Sequence, residues 1–501
     1  MGTEKMSALD DLSALIAAGL SGNRDELGQK TKVSLDGIFG ERYRANSPRE
    51  HRIAFMAGDK NVPFAGMLHP ENPTSGVYGG MSLIWFPIPA DDAGPACSLL
   101  TFVCGTRGLS PDEAIMGRPG HARHLRALGR YLNRELGVPV WTKRDPTNLG
   151  QAIPDVLKNQ YPRFSSVFAR YGSFLYAVAE VPADDMPRAT TLVTAFLDFY
   201  AWERNWVPLK AVEEQVASLK NQLRANLFPR VTRSAIVQLL RERRFVVLQG
   251  PPGTGKSLMA DTILAEDFQG HGHAVQFHPA VTYETFLAGI SPDVKDDSLR
   301  FRVKAGWLVD AARNATQHDF VLVVDEINRA DLGRVLGEAI YLFEPKEIAE
   351  GKGRTVKLPQ ALEDGADTFR IPQNLYILGT MNSADRSIAI LDLAVRRRFA
   401  FVDVWPDLTV VQQQELALAT EAFGKLQDIF AQHAPEDALV LMPGHAYFLA
   451  DDEEHLARRL RYELIPLLLE YLQEGRLGPC ETELEAYIDW LHGELTQHGE
   501  A

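Results

Sequence analysis

The chain has 501 residues, of which 45% are hydrophobic and 24% charged, with a formal net charge of −14. Such a length exceeds one ordinary core, so two or three domains are expected; the charge argues against a whole-surface nucleic-acid binder but leaves room for a local basic patch. No apolar run approaches the ~18 residues of a membrane span, and Cys97, Cys104 and Cys480 suggest neither a disulfide framework nor a metal spacing, so a cytoplasmic protein without membrane contact is expected.

The opening MGTEKMSALDDLSALIAAGL reads as an amphipathic helix with acidic residues, not as a secretory signal. Met6 stands where a myristoylation signal has serine or threonine. Residues 1–205 are expected to form an α+β domain. MSLIWFPI (Met81–Ile88) and SLLTFVC (Ser98–Cys104) read as strands flanking a Pro/Asp/Gly loop, and SFLYAVAEV (Ser173–Val181) as another strand. HARHLRALGRYLNREL (His121–Leu136) reads as a helix on which Arg123, Arg126, Arg130 and Arg134 share one face, followed by Lys143 and Arg144. That face is either a solvated helix surface or a site for nucleic-acid phosphates. Residues 206–229 predict a linking helix. Over 230–405, short buried strands alternate with helices, the pattern of a parallel α/β sheet, and 406–501 reads as mainly helical.

The strongest motif is FVVLQGPPGTGKSLMADTIL: an apolar strand, a Gly/Pro loop, then a helix. Gly250-x4-Gly255-Lys256-Ser257 matches the P-loop pattern in the context it requires. Glycines there let backbone N–H groups point at phosphate oxygens, with the helix N-terminus adding its positive end. Gly250, Pro251, Pro252, Gly253, Thr254, Gly255, Lys256, Ser257 and Leu258 are therefore expected to bind nucleotide. Lys256 would reach the β- and γ-phosphates, and the Ser257 hydroxyl would sit on Mg²⁺.

FVLVVDEINRA (Phe320–Ala330) supplies a second half, because four apolar residues in a row fit a strand buried on both faces. Asp325 and Glu326 then emerge at its C-terminal edge, where ligands sit in open α/β sheets. Asp325 is expected to hold Mg²⁺ and Glu326 to polarise the attacking water.

A third stretch, GTMNSADRSIAILDLAVRRRF (Gly379–Phe399), follows another buried run, Leu375 to Leu378. At the tip of a strand between the other two, Asn382 is expected to hydrogen-bond the lytic water and the γ-phosphate. Asp385 and Arg386 could pair or fix neighbours. Arg396, Arg397 and Arg398 have no carboxylate directly beside them in sequence; Asp392, one turn back, could offset Arg396 at most. Such a block suits insertion into a neighbouring subunit's site as arginine fingers, or, more plainly, a cationic helix C-terminus. A finger acting in trans requires oligomerisation, and a head-to-tail contact can close into a ring.

Residues from about 230 to 475 resemble the AAA+ core of McrB, the motor subunit of modification-dependent restriction systems. GPPGTGKS, VQFHPAVTYETFLAGISP (Val275–Pro292), VVDEINRADLGRVLGEAIYLFE (Val323–Glu344) and MNSADRSIAILDLAVRRRF carry the resemblance, with PGHAYFL (Pro443–Leu449) and RYELIPLLLEYL (Arg461–Leu472) similar to its lid. The resemblance implies a P-loop AAA+ parallel-sheet core with a C-terminal helical lid, preceded by a separate α+β domain. It gives nucleotide contacts to Gly253, Gly255, Lys256 and Ser257, Mg²⁺ and hydrolysis to Asp325 and Glu326, and the signature motif to Asn382 and Asp385. It gives the trans fingers to Arg397 and Arg398. Ser383 stands where that signature usually has threonine, so the hydroxyl survives and a methyl is lost. The resemblance also implies a hexameric or similar ring, ATP or GTP as substrate, and a separate McrC-like subunit that stimulates hydrolysis and cuts DNA. It stops short of the first 200 residues, which in such proteins select the target, often modified DNA. A pocket for an extruded base wants stacking aromatics, and Tyr78, Trp85, Phe86 and Trp141 are on offer. The alternative function is protein remodelling by a MoxR-like AAA+ chaperone.

Overall fold

A computed structural model describes residues 37–43, 52–56, 62, 64–69, 71–73, 76–88, 92–95, 97–182, 184–295, 298–362, 364–385 and 393–497. The amphipathic helix expected at the start of the chain, and Arg386 and Asp392, lie outside them. The chain forms two compact units, one running to Leu227 and including Ala431–Pro435, the other comprising Phe228–Phe430 and Glu436–Ala501.

The first unit is built on a six-stranded antiparallel sheet of β1 (Arg52–Met56), β2 (Phe64–Leu68), β3 (Met81–Ile88), β4 (Cys97–Cys104), β5 (Val140–Thr142) and β6 (Leu175–Glu180), in the order β1-β2-β3-β4-β6-β5. Side chains alternate between its two faces, and both are covered. Leu83, Trp85, Leu100 and Phe102 enter one core, whereas Ile84, Phe86, Leu99 and Val103 enter another. The first core is closed by α1 (Pro119–Leu136), α2 (Met186–Glu203) and α3 (Glu213–Leu227). Helix α1 begins with Pro119 at its first turn and stops at Gly137, whose left-handed φ of 61° costs glycine least. In the segment expected to link the domains, Val216, Leu219 and Leu223 of α3 enter this core.

Two expectations for this unit need correction. Arg123 does not join a solvated arginine face, because it is only 2% exposed, and Lys143 is buried with its ammonium donating to the Ser173 carbonyl at 2.9 Å. Helical spacing puts the four arginines on one side of α1 but does not say how deeply each turn is covered. Trp85 and Phe86 are core side chains at 4% and 1% exposure, so they are not available to stack on a base. Tyr78 and Trp141 remain partly exposed.

The second unit holds a five-stranded parallel sheet of β7 (Phe245–Gly250), β8 (Gly272–Gln276), β11 (Phe320–Asp325), β14 (Leu375–Asn382) and β15 (Ala400–Asp403), ordered β15-β7-β14-β11-β8. A hairpin of β9 (Ala288–Lys295) and β10 (Ser298–Ala305) and a short ribbon of β12 (Val356–Lys357) and β13 (Thr368–Phe369) lie outside that sheet. The apolar runs are continuous because both faces are buried: Phe245, Val247, Leu322 and Val324 pack on one side, Val246, Leu248, Val321 and Val323 on the other. Helix α4 (Lys256–Thr262) follows β7, and α5 (Leu393–Arg398) precedes β15. The C-terminal part is helical, with α6 (Ala417–His433), α7 (Ile465–Gln473) and α8 (Glu481–Gln497) its longest helices. No helix among the described residues is long and apolar enough to cross a membrane.

Candidate functional site

Strands β7, β14 and β11 are neighbours, so their C-terminal tips bring the three sequence motifs together. Asn382 is in register with Gly250, and the Ser383 N–H donates to the Gly250 carbonyl at 3.0 Å. Between β7 and α4 the chain turns through Gly253 and Gly255, both at φ 75°, a region costly for any residue with a Cβ. Gly255 caps α4, whose first residue is Lys256. The Lys256 ammonium is folded against the loop, donating to the Gly250 and Pro251 carbonyls at 3.0 and 2.6 Å. Burial pushes its pKa down to about 8, against the pull of Glu326 and Asp325. A phosphate chain in the loop would exchange these carbonyls for anionic acceptors, a stronger class of hydrogen bond.

Ser257 is exposed and donates its hydroxyl to Asp325 Oδ1 at 2.8 Å. That same carboxylate oxygen accepts from Thr380 Oγ1 at 2.5 Å, and Thr380 in turn accepts the Glu326 N–H at 3.2 Å. One hydroxyl in the middle of β14 therefore fixes both acidic residues at the tip of β11. Sequence reasoning passed over Thr380. Its only signal was a hydroxyl inside an otherwise apolar strand, at a position 2% exposed. Glu326 breaks the strand with left-handed backbone angles, φ 52° and ψ 46°. A non-glycine residue held there stores roughly 1 kcal/mol or more, and such residues cluster at functional sites. Glu326 Oε2 is buried and, among the described residues, accepts no hydrogen bond, while Arg329 stands 3.6 Å away, too far and too exposed to contribute much. Asn328, also passed over, donates its side-chain amide to the Asn382 carbonyl at 3.3 Å.

Asn382 itself uses its side-chain oxygen to accept the Ala384 N–H at 3.0 Å. The turn carrying Asp385 is held from the helical part by Arg476, which donates to the Ala384 carbonyl. The helical part also closes on the phosphate loop. Gly444 N–H donates to Pro252 O at 2.8 Å and Ala446 N–H to Gly253 O at 2.9 Å. A Cβ on Gly444 would lie 2.1 Å from the Gly253 carbonyl, so only glycine permits this approach.

With this geometry in place, residues 245–399 match the AAA domain of the dynein-related subfamily. The chain is 28% identical over 351 residues to the type IV methyl-directed restriction enzyme EcoKMcrB subunit of Escherichia coli K12, covering 64% of this chain and 75% of that protein. The chain is an McrB-like AAA+ protein. A second relative, the type II restriction enzyme BsuMI component YdiS of Bacillus subtilis, is 26% identical over 189 residues, 31% of this chain and 55% of that one. Among solved structures, NtrX of Brucella abortus in complex with ATP is 13% identical, covering 69% of this chain and 86% of its own, with a TM-score of 0.24.

The arginine block of this McrB-like chain, without a carboxylate directly beside it in sequence, meets one from a distant segment. Arg398 stands 3.4 Å from Glu344, donates to the Ala394 carbonyl at 3.0 Å, and has a side chain only 14% exposed. Glu344 is distant in sequence, which is why the local pattern did not reveal it. Arg396 lies over the Phe401 ring, 5.3 Å from its centroid. Arg397 is exposed and, among the described residues, makes no recorded contact.

Proposed function

We propose that this McrB-like AAA+ NTPase hydrolyses ATP or GTP as the motor subunit of a restriction system, working in a ring with a McrC-like nuclease partner. The observation that carries the hydrolytic reading is the chain of hydrogen bonds from Ser257 through Asp325 and Thr380 to Glu326, set beside the glycine-rich loop. The names of the two relatives, both restriction components, support the biological setting.

Under this reading the backbone from Gly250 to Leu258 cradles the phosphates, and Lys256 swings from its loop carbonyls to the β- and γ-phosphates. Ser257 and Asp325 offer adjacent hard oxygen donors, which fit Mg²⁺, and would hold it directly and through water. The ion would neutralise charge on the phosphate oxygens. Glu326, with an oxygen that accepts no hydrogen bond from the described residues, orients the water and takes its proton as the water oxygen bonds to the γ-phosphorus. The β–γ bridging oxygen leaves with the nucleoside diphosphate. Asn382 donates to the water or the γ-phosphate, and Asp385 positions the turn that carries it. Arg397 projects into the neighbour's site as the trans finger, while Arg398, paired with Glu344, holds α5 in place. The first unit selects the target, with Arg126, Arg130 and Arg134 suited to a DNA phosphate backbone once Arg123 and Lys143 are removed from the patch.

Lys256→Ala and Glu326→Gln test the assignment together. The lysine supplies ground-state charge, so its loss should abolish binding of ATP and GTP. Glu326→Gln should bind nucleotide within about threefold of wild type and turn over at least 100-fold more slowly. Unchanged nucleotide affinity in Lys256→Ala would sink the site.

A further inference from the structure

The PGHAYFL stretch of the helical part has a use beyond packing. His445 follows Gly444, the residue whose N–H is bonded to the phosphate loop, and precedes Ala446, which makes the second such bond. Its Nδ1 accepts the Asp407 N–H at 3.3 Å. A neutral imidazole with Nδ1 accepting carries its proton on Nε2, so the free edge of the ring is a donor. That edge faces the loop: Nε2 lies 3.6 Å from where a Cβ on Gly255 would be. No hydrogen bond to Nε2 is recorded among the described residues. Among the described residues, the charged groups that act on the ring are Asp407, on the segment before α6, and Lys256, on α4. Burial lowers the His445 pKa, Asp407 works against this and Lys256 adds to it, which keeps the ring neutral near pH 7.

A donor placed beside an anion-binding loop, held in one tautomer by a backbone bond on its far side, is complementary to a phosphate oxygen. We propose that His445 is a nucleotide-binding residue contributed by the lid, donating its Nε2–H to the phosphate chain of the bound nucleoside triphosphate. The inference rests on the reading of Gly250–Ser257 as the phosphate site. It makes the lid part of the binding pocket, so nucleotide occupancy and lid position are linked through one side chain and two backbone bonds.

The test separates the two edges of the ring. In His445→Asn the side-chain oxygen can replace Nδ1 as acceptor for Asp407, but nothing replaces the Nε2 donor. In His445→Gln the amide can reach the Nε2 position, but the Asp407 bond is lost. Fluorescent ATP and GTP analogues are titrated with Mg²⁺ into the full chain, and nucleotide-free protein is melted in parallel. His445→Asn should melt within about 2 °C of wild type. It should bind the preferred nucleotide at least about tenfold more weakly, the size of a lost hydrogen bond to a charged group. His445→Gln should bind within about threefold of wild type while melting lower. Wild-type affinity in His445→Asn overturns the proposal. If that variant does not fold, a tenfold loss in His445→Gln overturns it instead. Lys256→Ala, run alongside, separates the failures: if it alone loses binding, only the role of His445 is wrong, and if it too binds normally, the phosphate site is misassigned.

Discussion

Thr380→Val is the sharpest test of how the carboxylates are held. Valine has nearly the same shape, so β14 keeps its packing, but the hydroxyl disappears from a position 2% exposed. Two hydrogen bonds go with it, a 2.5 Å bond to the Asp325 carboxylate and a 3.2 Å bond from the Glu326 N–H. A hydrogen bond to a charged group contributes about 1.5–3 kcal/mol and a neutral one about 0.5–1.5, giving a combined ceiling of roughly 2–4.5 kcal/mol. Asp325 and Glu326 are only partly buried, and Ser257 still donates to Asp325, so water can recover part of the loss. About 1.5–3 kcal/mol remains, and if it falls on the alignment of Glu326 in the transition state, turnover drops roughly 10- to 100-fold. Nucleotide affinity should stay within about threefold of wild type, because neither lost bond touches the loop. Steady-state phosphate release and nucleotide titration measure the two quantities. Thr380→Ser, which keeps the hydroxyl, should restore most of the rate. Turnover in Thr380→Val within twofold of wild type would refute the role given to this hydroxyl.

Two further outcomes follow from buried charge. Glu203, 3% exposed, accepts from Arg118, His121 and His124 at 2.8–2.9 Å, so Glu203→Gln should lower stability by about 3 kcal/mol. Burial acts to raise the Glu203 pKa, but His121 and His124 hold it well below the ordinary 4.5. Its contribution is therefore fully present above the ordinary carboxylate value and lost as pH falls below it, so melting curves of the variant and wild type should stay apart at neutral pH and converge only below about pH 4.5. A gap that widens on acidification would show the sign to be wrong. In the second unit, Arg398→Ala should lower the melting temperature by breaking the Glu344 contact, whereas Arg397→Ala should leave it within about 1 °C. Equal destabilisation by both would place Arg397 in the fold.

Where the physics is local, the sequence carried it. The strand ending in Asp325 was legible because a central parallel strand, buried on both faces, must be apolar at every position. The phosphate loop was legible because its backbone angles demand glycine at Gly253 and Gly255. Helix α1 was legible from its spacing, but its periodicity gave a direction without a depth, and Arg123 lies on the covered side of that limit. Trp85 and Phe86 misled for a related reason. An antiparallel sheet can leave one face wet, and only the packing of both faces shows that neither aromatic is exposed. The remaining gaps are non-local. Thr380 acts on two residues of another strand, Glu344 meets Arg398 from a distant segment, and Gly444 meets the phosphate loop from the lid.

The central claim is that the site at the tips of β7, β14 and β11 is an NTPase site completed by a neighbouring subunit, and mixing two inactive variants tests it most directly. Arg397→Ala should bind nucleotide normally and hydrolyse it slowly, and Glu326→Gln should do the same for a different reason. In a mixed assembly, some interfaces join an intact Glu326 from one subunit to an intact Arg397 from the next, a pairing that neither variant forms alone. Turnover should therefore rise above both parents and peak at intermediate ratios, with co-purification of differently tagged subunits confirming that the assemblies are mixed. If the subunits co-assemble and every mixture stays as inactive as its parents, Arg397 does not act across an interface and the shared-site account is wrong.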